Sequence, residues 1–200
     1  MKPTCKELRA RAWKTLEGRY WSVFLLFLVV VVIDGIASSV TAGVLGLLAL
    51  PLLYALDVAF LQVSRSKEVP SVESLFYVYR DNFLKSFLVV FLMFLFVSLW
   101  TLLLIIPGII MAYAYSMAVY VANDNPELSA MDAIRKSREL MRGHKWDLFV
   151  LDLSFIGWIL LCCLTCGLGF LFLAPYIEMA HAEFYRELTD KAEDVEAVKA

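Results

Sequence analysis

The sequence predicts an all-α fold: a polytopic transmembrane bundle of six spans, arranged as three hairpins, with amphipathic helices on the cytoplasmic side. Three observations carry this. The 200-residue chain is 61% apolar and only 19% charged, with a mean hydropathy of +0.72, where a soluble domain is nearer half apolar and a quarter charged. Residues 86–123 form 38 consecutive positions without a charge, almost twice the roughly 20 that one crossing of the hydrocarbon needs. Finally, the 18 basic residues fall in four clusters: six in 1–20, four in 64–85, five in 123–145 and three in 186–200.

The first segment, 1–20, reads as an amphipathic helix from residue 4. Thr4 and Glu7 have capping-box spacing, in which each side chain satisfies the other residue's backbone N–H. Leu8, Ala12, Leu16 and Tyr20 share one face, and Lys2, Lys6, Arg9, Arg11, Lys14 and Arg19 cover much of the rest. That pattern suits an anionic inner-leaflet surface; the alternative is packing on the bundle. The first span, 21–39, opens on the interfacial pair Tyr20-Trp21. Its apolar start resembles a signal-peptide core, but a charged segment of about 20 residues is too long for the positive region of such a leader, so a retained span is expected.

Small and polar residues from Asp34-Gly35 to Gly43 predict a turn. The second span is 44–63, with Pro51 inside it. In 64–85, Val72, Leu75, Phe76 and Tyr79 have the spacing of a short surface helix. The third span is 83–106 and the fourth 107–122. In 123–145, Ser129 and Asp132 form a second capping pair. The fifth span, 146–166, is introduced by His144, Lys145 and Trp146, which with Trp21 are interfacial anchors. The sixth is 169–185, and 186–200 is a short charged cytoplasmic tail.

The long uncharged run is two spans only if the chain reverses at Pro107-Gly108. Proline removes a backbone donor and glycine tolerates a positive φ, so a break is expected there. With a reversal, every Lys and Arg lies on one side, and the positive-inside rule makes that side cytoplasmic, both termini included. With a single kinked helix, five basic residues of 123–145 would face outward in a short loop, against the rule. Six spans are therefore expected, and the topology contains a repeat: amphipathic helix, aromatic lead-in, span, outer turn, return span. The lead-ins are Gly18-Arg19-Tyr20-Trp21, Arg80-Asp81-Asn82-Phe83 and Gly143-His144-Lys145-Trp146, whose aromatic residues are 62 and 63 positions apart; such self-similarity at a fixed period is the mark of repeats.

Three stretches carry a family resemblance: residues 102–117, with Ile106-Pro107-Gly108-Ile109; Asp124-Asn125-Pro126 with Ser129-Ala130; and 137–158, with Gly143-His144-Lys145-Trp146. Through them the chain resembles, over roughly residues 5–188, a bacterial integral membrane family of unknown function numbered 975. The resemblance implies a multi-span plasma-membrane protein. It supplies no activity, cofactor or catalytic residue.

Polar groups inside a membrane are costly and mark function. Asp57, Asp152 and Glu178 each fall about 10 Å from the cytosolic ends of their spans at 1.5 Å per residue, and His181 follows Glu178 by three, on the same face. These four are expected to line one inward-facing polar cavity for a cation, a proton or a lipid headgroup, supported by Tyr54, Tyr176 and Ser154. The alternative is packing near the interface, paired with Lys145 or Arg186; Asp34 is a fifth such residue. A Glu-x-x-His pair is half of a di-metal bundle site, but the sequence holds no second copy, so no metal and no cofactor are expected. Cys162, Cys163 and Cys166 read as small apolar packing residues, and Cys5 is in the N-terminal segment. No nucleophile elbow, phosphate loop or zinc-protease motif occurs, and no basic domain that would bind nucleic acid. A non-enzymatic membrane bundle is expected, acting on lipids or on a membrane partner, itself or another protein. The other class is a small transporter using the acidic cluster.

Overall fold

The computed structural model describes residues 4–40, 44–66, 68–81, 83–103, 105–164 and 168–199, and their regular structure is helical throughout. The helices fall into three successive units. The first comprises α1 (Cys5–Leu16), α2 (Tyr20–Val40) and α3 (Val44–Ser66). The second comprises α4 (Val72–Asp81), α5 (Phe83–Leu103) and a return leg in two pieces, α6 (Ile105–Tyr115) and α7 (Ala118–Asp124). The third comprises α8 (Ala130–Leu140), an outgoing leg in two pieces, α9 (Lys145–Leu153) and α10 (Ile156–Leu164), and α11 (Leu168–Lys199).

The reversal in the long uncharged run is present. Three contacts ladder down α5 and its return leg: Thr101 against Gly108, Phe96 against Tyr115 with ring centroids 6.1 Å apart, and Lys85 Nζ donating to the Asn125 carbonyl at 2.9 Å. Only an antiparallel pair places them in that order. The expected turn at Pro107-Gly108 is corrected: α6 already begins at Ile105, so Pro107-Gly108 sit in its first turn. Proline is tolerated there because first-turn N–H groups have no helical partner. Gly108 serves close approach: a methyl group on it would lie 2.7 Å from Thr101 Cα and 2.9 Å from Thr101 N.

Among the described residues, two helices, Phe83–Leu102 and Ile105–Asp124, are each long and apolar enough to cross a membrane, and up to four qualify if each of two bent helix pairs is one span. Several sequence expectations change in detail. The α2 backbone remains helical through Asp34-Gly35 to Val40, so the turn is not at 34–35; the remaining turn residues 41–43, together with Gly167 and Cys166, lie outside the described residues. The fourth span breaks at Ser116-Met117 and the fifth at Ser154-Phe155, where α9 and α10 bend by 40°. The charged tail is not frayed coil, because α11 continues as one helix to Lys199.

The units close into a ring. Each amphipathic helix packs on the return leg of the unit before it: α4 on α3, α8 on α7 and, closing the circle, α1 on α11. Each return leg packs on the next outgoing leg: α3 on α5, α6 on α9 and α11 on α2. Within the ring, α3 touches α7 and α11. The apolar face of α1 is therefore spent on the bundle, with Leu8, Ala12, Thr15 and Leu16 buried, and is not left for the lipid surface.

The amphipathic helices and lead-ins of units one and three occupy corresponding positions at an offset of 125. Thr4 and Ser129 are the N-caps. Glu7 Oε2 accepts from the Thr4 N–H at 3.0 Å, and Ser129 Oγ accepts from the Asp132 N–H at 3.2 Å. Leu8, Ala12 and Leu16 correspond to Ala133, Ser137 and Met141, and all six are buried. Gly18 and Gly143 both hold a positive φ, 77° and 85°, a conformation glycine adopts without steric cost. Trp21 and Trp146 then follow, 67% and 70% exposed, as interfacial anchors require.

Candidate functional site

The polar residues singled out by the sequence converge where the return legs meet. Asp57 comes from α3, Asp152 from the end of α9, and Glu178 and His181 from successive turns of α11. His181 Nε2 and Asp152 Oδ1 are 2.7 Å apart; with Asp152 a carboxylate, Nε2 is the donor. Asp57, Glu178 and His181 lie within electrostatic reach of one another, and Glu178 also of Asp152. Among the described residues, no Lys or Arg acts on Asp57, Glu178 or His181. Three carboxylates thus share one imidazole. Lys145 and Arg186, the partners the packing alternative requires, are elsewhere: Lys145 lies beside Trp146 and Phe149, and Arg186 binds Glu183.

The supporting cast differs from expectation. Tyr176 donates to the Arg9 carbonyl at 3.1 Å, and Ser154 Oγ donates to its own helix at Leu151 O, 2.6 Å, so their hydroxyls bond to backbone carbonyls outside the cluster. Two tyrosines that the sequence reading passed over take their place. Tyr113 of α6 donates to Asp152 Oδ2 at 2.9 Å. Tyr120 of α7, only 3% exposed, lies within electrostatic reach of Asp57 and Glu178. Their signal in the sequence was weak: they are two of three tyrosines in the uncharged run, which also holds Ser86, Ser98, Thr101, Ser116 and Asn123.

Two polar cavities lie among neighbouring residues, and neither is lined by Asp57, Asp152, Glu178 or His181, which were expected to line one cavity together. One, of about 760 Å³, is lined by Arg65, Asp124, Asn125, Lys136, Tyr185 and Arg186. It ends at Tyr185, which stacks on Tyr120 with ring centroids 5.2 Å apart. The other, of about 540 Å³, includes Tyr54, Gln62, Ser74, Lys85 and Asn123; Tyr54 lines this cavity and lies within electrostatic reach of Asp124. The mouth of the larger cavity is held by a fork: Arg65 Nη1 and Nη2 donate to the two Asp124 carboxylate oxygens at 2.7 and 2.6 Å, and Tyr185 donates to Asp124 at 2.8 Å. That bond to Asp124 raises the Arg65 guanidinium above its usual value.

A second polar layer lies further along α11. Glu183, 6% exposed, accepts from Thr15 and Ser64 at 3.0 Å each and from Arg186 at 3.3 Å. Arg186 also donates to the Ser64 carbonyl at 2.6 Å. This layer joins α1, α3 and α11, and its charges are paired.

Of the other predicted residues, Pro107 and Gly108 act in the hairpin described above, and His144 Nδ1 lies 3.1 Å from Asp147 Oδ2, tying the third lead-in to the first turn of α9. The side chain of Asp34 lies outside the described residues. Among the described residues, no three His, Cys, Asp or Glu side chains are placed to hold a metal ion.

Residues 101–192 match the family model described as a protein of unknown function, DUF975. No curated protein and no solved structure matches the chain.

Proposed function

We propose, from the match of residues 101–192 to the DUF975 family of proteins of unknown function, that the chain is a non-enzymatic, six-span bacterial plasma-membrane member of that family, both termini cytoplasmic, that takes up a proton or a small monovalent cation in its core. One observation supports the reading: His181 lies 2.7 Å from Asp152 and within electrostatic reach of Asp57 and Glu178, so three acidic residues from three helices act on one base. Uncompensated charge in a bilayer is costly, so excess acid there needs a cationic guest. The two polar cavities, lined by Arg65, Lys85, Lys136 and Arg186 among others, are the proposed approach from the side rich in basic residues, and Tyr185 of the larger one stacks on Tyr120.

The test is uptake by purified protein in vesicles that enclose a pH-sensitive dye, driven by a potassium diffusion potential. Native protein is expected to move protons inward. The Asp57→Asn/Glu178→Gln double variant is expected to fold normally and to match protein-free vesicles. Equal uptake by a folded double variant sinks the reading, as does native protein that neither moves protons nor takes up sodium or potassium.

The lipid-acting bundle remains as a second reading. It is favoured by the breadth of exposed apolar surface, including Leu102, Ile105 and Ile106 at 85%, 70% and 73% exposure.

A further inference from the structure

We propose that the groove between α1, α10 and α11 binds a phospholipid with an anionic headgroup, one acyl chain lying in the groove and a phosphate oxygen on the Arg9 guanidinium. The inference stands apart from proton uptake and needs only that the chain resides in a bilayer. The groove encloses about 440 Å³ and its walls are almost wholly apolar: Trp158, Cys162, Phe172 and Leu173, with Trp13 and Tyr20 at one side. That volume is typical of small-molecule sites. It runs from the level of Phe155 to Cys162, seven residues or about 10 Å of helix. At the far end Gly169 lets α11 lie against Cys162, since a methyl group there would sit 2.7 Å from the Cys162 sulfur.

Arg9 stands at the head of the groove. Its Nη1 donates to the Ser154 carbonyl at 3.1 Å, a group freed by the break between α9 and α10. Its guanidinium carbon lies 4.9 Å over the Phe155 ring. Arg9 Nε is buried and has no hydrogen-bond partner, and no carboxylate forms an ion pair with Arg9 among the described residues; its neighbour Arg11, by contrast, pairs with Glu187 at 2.7 Å. A buried, unsatisfied cationic donor costs stability until an anion meets it.

The surroundings say which anion. Trp13 and Trp158 flank the groove at 56% and 53% exposure, and next to it Leu160 and Leu161 are 65% and 60% exposed. An opening bordered by exposed leucine and tryptophan is supplied from the bilayer, where indole rings favour headgroup depth. An amphiphile with a negative head and an apolar tail complements both ends of the groove.

The test uses the full-length chain in phosphatidylcholine vesicles that contain a small fraction of acyl-brominated lipid, read by tryptophan fluorescence. Brominated phosphatidylglycerol is expected to quench at mole fractions where brominated phosphatidylcholine does not. Arg9→Gln is expected to remove the preference, and Trp13→Phe/Trp158→Phe to remove most of the selectively quenched emission with Arg9 intact. Inorganic phosphate is expected to leave the quenching unchanged. Equal quenching of native protein by both lipids overturns the site. So does full selectivity in the double tryptophan variant, which covers the case in which Arg9→Gln fails to fold. Loss of selective quenching on adding phosphate alone overturns the acyl-chain part of the assignment.

Discussion

Two acid–base pairs lie on α11 with the same spacing, and they have opposite fates. Glu178 and His181 are three residues apart, as are Glu183 and Arg186. Around Glu183 the fold assembles Thr15, Ser64 and Arg186, so the carboxylate is buried with its acceptor sites filled. Around Glu178 and His181 it assembles two more acids, Asp57 and Asp152. A paired layer fixes three helices together, whereas an underpaired one holds a demand for positive charge that an incoming ion or proton satisfies. A buried acid's role therefore depends on the neighbours supplied from distant parts of the chain.

The largest test of that contrast is Glu183→Ala against Glu178→Gln. Removing one partner of a buried pair costs about 3–5 kcal/mol, so Glu183→Ala is expected to lower thermal stability in detergent sharply, while Glu178→Gln shifts it by less than about 1 kcal/mol and acts on proton uptake instead. Equal losses in both variants would erase the distinction.

Next comes a perturbation that touches neither layer. Gly108→Ala forces α5 and α6 apart against Thr101 backbone atoms, and overpacking of this kind costs about 1–3 kcal/mol. It is expected to lower stability without selectivity for either layer; unfolding midpoints matching native protein would mean that α5 and α6 do not approach as closely as described. The smallest effect is Thr15→Val, which removes one donor from Glu183 and is expected to cost about 1 kcal/mol. Limited proteolysis after residue 16 should accelerate if, as the geometry requires, that hydroxyl helps to seat α1 on α11; an unchanged cleavage rate would leave α1 held by its apolar face alone.

Much of the architecture was legible. The uncharged run of 86–123 and the basic clusters bounding it demanded a reversal near Pro107, and the Thr4/Glu7 and Ser129/Asp132 spacings marked helix starts that the structure retains. The convergence of Asp57, Asp152, Glu178 and His181 was legible as a matter of equal depth. Glu183 was overlooked although it lies inside the predicted sixth span, because nothing in its local sequence distinguishes it from a residue of the cytosolic tail. Arg9 was read as surface charge, because its pairing with the Ser154 carbonyl depends on a helix break that no proline or glycine announces.

Hydropathy, charge placement and capping pairs are local or additive properties, and they determined by themselves that this chain is helical and apolar enough for a membrane, and roughly where it turns. Which polar group meets which was decided only when α1 packed on α11 and the three return legs came together. Side-chain pairing over separations of 29 to 168 residues is a product of helix packing, and a one-dimensional pattern of hydrophobicity carries no information on the rotation of one helix against another.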